Sequence, residues 1–295
     1  MATAVLLLYH FSVFSWYFFL AYCLLTVSST EQPAGVFLYG GPWKYLTVLN
    51  VVLQTLFHAV TFLTDLLLPI RGIKLVKCII YCRDLLFSVL AFPAATFVFL
   101  SFWALYSYDR QLVYPEGLDK VIPQWLNHAV HTAVFPIAVL EILTSPHRYP
   151  PKRKGLALLG ICSISYISWV IWIYFADGNW VYPFLGILSP FEFFIFLLSS
   201  HILAASVYIV GETLNYVVWG LSQHLGGNFI LIHNSLLWLV QMSRTPASNF
   251  QQFFRRSIPP TSQVSSDNVD MVKNILGSNV TREIITIIWT KEEGA

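Results

Sequence analysis

Charge is what this sequence lacks most. Lys, Arg, Asp and Glu make up 11% of its 295 residues, against about 25% in an ordinary soluble domain. A chain so poor in ionic groups cannot cover a water-facing surface, which argues against the soluble globular class. Its 17 basic and 15 acidic residues leave a net charge of only +2, far from the basic field that draws nucleic acid. Cysteine is scarce as well. Cys23, Cys78, Cys82 and Cys162 have the spacing of neither a disulfide framework nor a zinc site. No Gly-rich phosphate loop, G-x-S-x-G elbow or nucleotide motif is present. No cofactor is expected.

What the chain has instead is apolar length. Hydrophobic residues reach 56% and the mean hydropathy is +0.64. Mostly apolar windows of about twenty residues, enough to cross about 30 Å of hydrocarbon, recur near 4–27, 44–68, 84–107, 121–144, 156–176 and 190–214. The ten Trp and fifteen Tyr suit belts at the two membrane interfaces. The fold class is therefore all-α, a polytopic membrane protein of about six transmembrane helices. The first window is too long and lacks the basic start of a signal peptide, so it reads as an uncleaved span.

The connections after spans two and four are the basic ones, with Arg71, Lys74, Lys77 and Arg83, then Arg148, Lys152, Arg153 and Lys154. The Lys/Arg bias assigns them to the cytosol and makes both termini cytosolic. Cys78 and Cys82 fall in the first basic connection, where reversible palmitoylation competes with a plain structural role. Two outer connections echo one another. Tyr106-x-x-Asp109-x-x-x-Val113-Tyr114-Pro115 returns 68 residues later as Tyr174-x-x-Asp177-x-x-x-Val181-Tyr182-Pro183. Residues 1–219 form the membrane domain. Residues 220–295 read as a separate tail, with a short interfacial stretch at Gly226–Met242, a Pro- and Ser-rich segment over 245–266, and a sequon at Asn279.

Polar residues inside the spans mark where function lies. In span two, Thr47, Asn50, Gln54, His58, Thr61 and Asp65 all fall within about 60° of Thr47 at 100° per residue. Such a stripe must turn away from lipid, because unpaired polar groups in hydrocarbon are costly. Span four carries a second set, Gln124, Asn127, His128 and His131. With Trp43 and Trp125 as interface markers, Thr47 lies roughly 6 Å deep and His131 roughly 9 Å deep, at 1.5 Å per residue. A hydroxyl and an imidazole at one level can work as nucleophile and base. The competing readings are a threonine bonded to its own helix and an interhelical histidine. Asp65 lies roughly 27 Å along the helix from Thr47, so it belongs with His58, Glu141, Arg83 and Asp84 in a structural network. A metal site joining His128, His131, His58 and His201 suffers from the depth of His58 and the lack of an H-E-x-x-H signature.

Several motifs occur in an order that resembles a known family. Tyr9-His10, Ser15-Trp16-Tyr17, Trp43-Lys44-Tyr45-Leu46-Thr47, Leu49-Asn50, Arg83-Asp84-Leu85-Leu86-Phe87, Ala91-Phe92-Pro93, Pro123 to His131 and Gly211-Glu212 are similar to the androgen-induced, androgen-dependent family of integral membrane hydrolases. The likeness covers about residues 5–219. It implies hydrolysis of fatty acid esters of hydroxy fatty acids by a threonine nucleophile and a histidine, which fall on Thr47 and His131. It also implies regulation of tissue factor pathway inhibitor, with the plasma membrane as the address and the endoplasmic reticulum as the alternative. Around that pair, Asn50 and Asn127 are candidate oxyanion donors, with His128 a further candidate for oxyanion binding or substrate positioning. Lys44 is the candidate to hold a substrate carboxylate near the headgroups. The expected partners are a lipid substrate and the bilayer, with protein partners unknown. A non-enzymatic regulator or a transporter using the same polar cavity is the rival reading.

Overall fold

Inside hydrocarbon every backbone N–H and C=O must be paired within the chain, and an unbroken helix does that for itself. The computed structural model describes residues 2–30, 39–67 and 74–220, and six helices there are long and apolar enough to span a membrane. The expected features of residues 221–295 lie outside the described residues.

Helix α1 (Ala2–Thr30) packs along α2 (Leu46–Leu67), with Tyr17 and Leu20 of α1 fully buried. A tight turn at Gly41–Lys44 precedes α2. Gly40 and Gly41 both take positive φ, +78° and +52°, and Pro42 follows them into the turn. Two consecutive left-handed residues are open to glycine at little cost. The turn sets where the first residues of α2 begin.

The third span differs from its expected limits. It starts at Lys74, ten residues early, and runs as α3 (Lys74–Leu86), a wide π-helical turn (Phe87–Ala91) and α4 (Phe92–Tyr108). The charges that suggested a loop are accommodated on the helix. Arg83 bonds its neighbour Asp84 at 2.6 Å, and long lysine stems can carry their heads out to the interface. Cys78 and Cys82 are thus exposed on a helix rather than in a loop. The π turn stands just before Pro93, whose missing N–H and bulky ring disturb the preceding turn. Gln54 of the α2 stripe donates to the Ala91 carbonyl at 2.8 Å.

The fourth span, expected as one helix, is two. Helix α5 (Gln124–His131) stops, and α6 (Val134–Thr144) resumes after a short break. Pro136 offers no amide to the Thr132 carbonyl, and the Ala133 amide reaches back to the His128 carbonyl at 3.0 Å. The break therefore falls directly after His131.

Helices α7 (Lys152–Asp177) and α8 (Pro190–Asn215) complete the bundle. Ser189 and Glu192 cap the start of α8 reciprocally. Gly211 lets α8 approach α4, since a methyl group there would stand 2.6 Å from the Phe92 ring. The third span is the most buried of the six, and α1, α7 and α8 are the least. The main core gathers Phe57, Phe87, Phe92, Leu126, Val134 and Ile142 from the second, third and fourth spans.

Candidate active site

Most threonines in these spans do what threonine in a helix ordinarily does. Thr55, Thr61, Thr64, Thr96, Thr144 and Thr213 each donate to the carbonyl four residues back. Thr47 cannot, because it sits in the first turn of α2 and the residue four back, Trp43, precedes the helix. Its hydroxyl instead stands 3.0 Å from His131 Nε2.

The proton on that imidazole can be assigned. His131 Nδ1 faces two oxygens of Asn127, the backbone carbonyl at 3.0 Å and Oδ1 at 2.8 Å. A carbonyl only accepts, so Nδ1 carries the hydrogen and Nε2 presents a lone pair to the Thr47 hydroxyl. The ring is 8% exposed and stacks on Phe102, with centroids 3.6 Å apart and planes 12° from parallel. Thr47, His131 and Asn127 thus form a hydroxyl–imidazole–amide relay. Hydrogen bonds at both ring nitrogens and one stacked ring leave the imidazole little freedom.

Both Thr47 and His131 line a cavity of about 370 Å³, within the usual range for small-molecule sites. Asn50, one turn along α2, lines it too and is 1% exposed. Its side-chain oxygen accepts from Gln54 at 3.0 Å, while Nδ2 makes no hydrogen bond. A buried amide with an idle donor beside a hydroxyl–imidazole pair is unusual, because most buried polar groups are satisfied.

The echoed motifs also meet here. Tyr114 and Tyr182, equivalent in the two copies, both line the cavity. The Tyr182 hydroxyl accepts from the Leu46 amide at 2.9 Å and lies 2.9 Å from the Tyr166 hydroxyl. Tyr166 donates to the Lys44 carbonyl at 3.1 Å. The start of α2, and with it Thr47, is held from α7 and from the loop that follows it. Burial, with Asp119 nearby, pushes the Tyr114 hydroxyl up to about 12, so it stays a neutral donor, here to the Ile122 carbonyl at 3.3 Å.

Three sequence expectations change. Asn127 accepts from His131 Nδ1 and does not line the cavity, so it holds the imidazole rather than facing a ligand. His128 is exposed, bonded to Thr132 at 3.1 Å and stacked on Trp103, and it does not line the cavity. Lys44 does not line it either. Its side chain is 5% exposed with the ammonium over the Tyr45 ring, and burial lowers its pKa against the opposing pull of Asp177. A cation so placed anchors the turn before α2 instead of reaching a ligand in the cavity.

At the other end of the bundle lies a second polar centre. Asp65 meets His10 Nδ1 at 2.5 Å, and Glu141 lies between His10 at 3.3 Å and His147 at 3.2 Å. His147 in turn stands 3.3 Å from Asp84, the partner of Arg83. The sequence pointed to Asp65, Glu141, Arg83 and Asp84, but missed His10 and His147. Each was visible only as an ionisable residue in or beside a span, His10 also as part of the Tyr9-His10 motif. His58 lies between Tyr17 and Phe57, its ring 5.3 Å from the Tyr17 ring. Among the described residues, no three His, Cys, Asp or Glu side chains are arranged to hold a metal ion.

These features define a class first: an integral, multi-pass membrane protein with a buried polar site near one membrane face. Comparison with known proteins sharpens that. The model of the family described as FAR-17a/AIG1-like protein matches residues 5–216, and the chain belongs to that family. It is 49% identical over 213 residues to the androgen-dependent TFPI-regulating protein of Rattus norvegicus, covering 72% of this chain and 93% of the relative. Identity to the Homo sapiens protein of that name is 48% with the same coverage. To the Homo sapiens androgen-induced gene 1 protein it is 42% over 209 residues, 68% of this chain and 87% of the relative. No solved structure matches the chain.

Proposed function

We propose that this protein is an intramembrane lipid esterase that cleaves fatty acid esters of hydroxy fatty acids. The observation that carries the reading is the 3.0 Å contact from the Thr47 hydroxyl to an imidazole nitrogen whose tautomer Asn127 dictates. Threonine is a weak nucleophile at its own pKa and needs an adjacent base. His131 Nε2 takes the hydroxyl proton as Oγ1 attacks the ester carbonyl carbon. The tetrahedral intermediate collapses, the C–O bond to the alcohol breaks, and the alcohol leaves with the proton from Nε2. A water then gives a proton to Nε2 as its oxygen attacks the threonyl ester, and as that intermediate collapses to release the fatty acid, Nε2 returns the proton to Thr47 Oγ1. The idle Asn50 Nδ2 is the donor for the oxyanion in both steps.

The basic ends of the third and fifth spans belong in the cytosol by the Lys/Arg bias. That orientation puts both ends of the membrane domain inside, and Thr47 near the outer or lumenal face, where water is at hand. We assign the protein to the plasma membrane. Residues 220–295 are assigned to a separate tail. The relatives named as TFPI-regulating proteins support a second role, regulation of TFPI and of anticoagulant activity at the cell surface, exerted by the same membrane domain.

The test is turnover of a defined branched ester by purified protein. Thr47→Ser is expected to keep activity and Thr47→Ala to lose it. Equal turnover by the wild type and Thr47→Ala would remove the esterase assignment from this site.

A further inference from the structure

The cavity extends well beyond the Thr47–His131 pair. From Phe102, which stacks on His131, its lining continues along the third span to Leu90. Twelve residues at 1.5 Å each make that about 18 Å. Helix α8 contributes a stripe at helical spacing, from Phe193 through Leu197 to Ala204, and α7 lines it down to Leu159. Leu90, Leu159 and Ala204, at the far end of this lining, belong to one hydrophobic cluster with Val89 and Tyr208. The wall is mostly apolar, with Ser163, Ser200 and His201 partway along it. His201 Nδ1 donates to the Leu197 carbonyl at 2.8 Å.

A mostly apolar cavity that runs from a hydroxyl–imidazole pair to a packed apolar cluster suits an acyl chain. Carbon–carbon bonds of about 1.5 Å in staggered zigzag advance about 1.25 Å per carbon. Eighteen ångströms therefore accept about fourteen carbons beyond the ester. Electrostatics decide which limb of the substrate enters. The hydroxy-acid limb ends in a carboxylate, which cannot move toward the bilayer centre without losing its hydration. The esterified acyl limb ends in a methyl group and can.

We infer that this cavity is a measuring channel for the acyl limb of the ester, running from Thr47 to a floor at Leu90, Leu159 and Ala204. The inference rests on the esterase reading for its substrate. It assigns selectivity to the length of one limb and none to the other. Acyl chains of fourteen to sixteen carbons fill the channel, and longer ones meet the floor.

Two ester series test this on the full-length protein in nanodiscs. One varies the acyl limb from eight to twenty carbons with the hydroxy acid fixed, and the other varies the hydroxy acid with the acyl limb fixed. In the wild type, kcat/KM is expected to climb with acyl length to about sixteen carbons and then fall, and to stay flat across the second series. Ala204→Phe raises the floor. It should move the optimum to shorter acyl chains and lower kcat/KM for the hexadecanoyl ester by roughly tenfold or more, the scale of a displaced methylene. A wild-type profile that follows the hydroxy acid, or one unchanged by Ala204→Phe, overturns the inference.

A second measurement separates this failure from failure of the esterase reading. A hexadecanoic acid with a photoreactive terminal methyl end is irradiated with the wild type, and the labelled peptides are mapped. Labelling at Leu90, Leu159 or Ala204 supports the channel even if no ester is cleaved. Labelling confined to lipid-facing residues such as Phe175 or Phe191 overturns it.

Discussion

At the scale of single residues, one threonine of α2 behaves unlike the others. Thr47 lies before the point where a helix can offer it a carbonyl, and its hydroxyl is free for His131. The sequence left Thr47 open to a bond within its own helix, since only the exact start of α2 decides which carbonyls it can reach, but the shared depth of the two residues was legible. The role of Asn127 was not. Its i, i+4 relation to His131 put both on one face, but whether an amide donates to substrate or accepts from a ring depends on a torsion that no spacing encodes. The consequence is measurable. Asn127→Ala removes one of the two acceptors on Nδ1 and keeps the backbone carbonyl, so the ring loosens while its tautomer is retained, and kcat should fall by about tenfold with KM little changed. Asn50→Leu removes the proposed oxyanion donor without touching the relay. It should lower kcat by about 10² to 10³-fold. If either variant raises KM while leaving kcat intact, that residue binds substrate and does not act in the chemical step.

At the scale of elements, apolar windows gave the six spans because hydropathy reports length and lipid contact directly. They could not give the start of α3. Lys74, Lys77 and Arg83 look like loop residues until Asp84 is seen to pair with Arg83, a contact between sequence neighbours whose burial only the bundle decides. Nor did they give the break in span four. A proline inside a spanning helix can be absorbed by a bend, and here the chain stops and restarts one turn before Pro136. The break leaves His131 as the last residue of α5. Pro136→Ala supplies the missing amide and allows one continuous helix. It should raise thermal stability in detergent while slowing ester turnover, since His131 would then be drawn off its line to Thr47. Gly211→Val tests the contact of α8 with α4. Its side chain would meet the Phe92 ring and the Tyr149 hydroxyl, and the melting temperature should drop, with turnover per folded molecule retained.

At the scale of the whole molecule, the two polar centres divide the bundle's work. The chain from Asp65 through His10, Glu141, His147 and Asp84 to Arg83 ties α1, α2, α3, α6 and the link before α7 into one network. Asn215 of α8 joins it by exchanging two hydrogen bonds with the His147 backbone. Each of the three carboxylates there has an arginine or imidazole partner within 3.3 Å, and a buried ionic group is costly once its partner is lost. Removing one member strands another: Glu141→Ala should destabilise the protein by about 3–5 kcal/mol, read as loss of folded protein in a detergent melt. The surviving folded fraction should still turn over ester at the wild-type rate, because Glu141 is remote from Thr47.

The central claim, that Thr47 is a nucleophile activated by His131, is tested most directly by covalent labelling. Membranes containing the wild type, Thr47→Ala and His131→Ala are treated with a fluorophosphonate probe, and the adduct is mapped by mass spectrometry. An adduct on Thr47 is expected in the wild type and none in either variant at equal protein levels. Equal labelling of all three, or an adduct mapped to another residue, would contradict it. Absence of label from all three would contradict it too, and would favour a regulator that binds lipid without cleaving it.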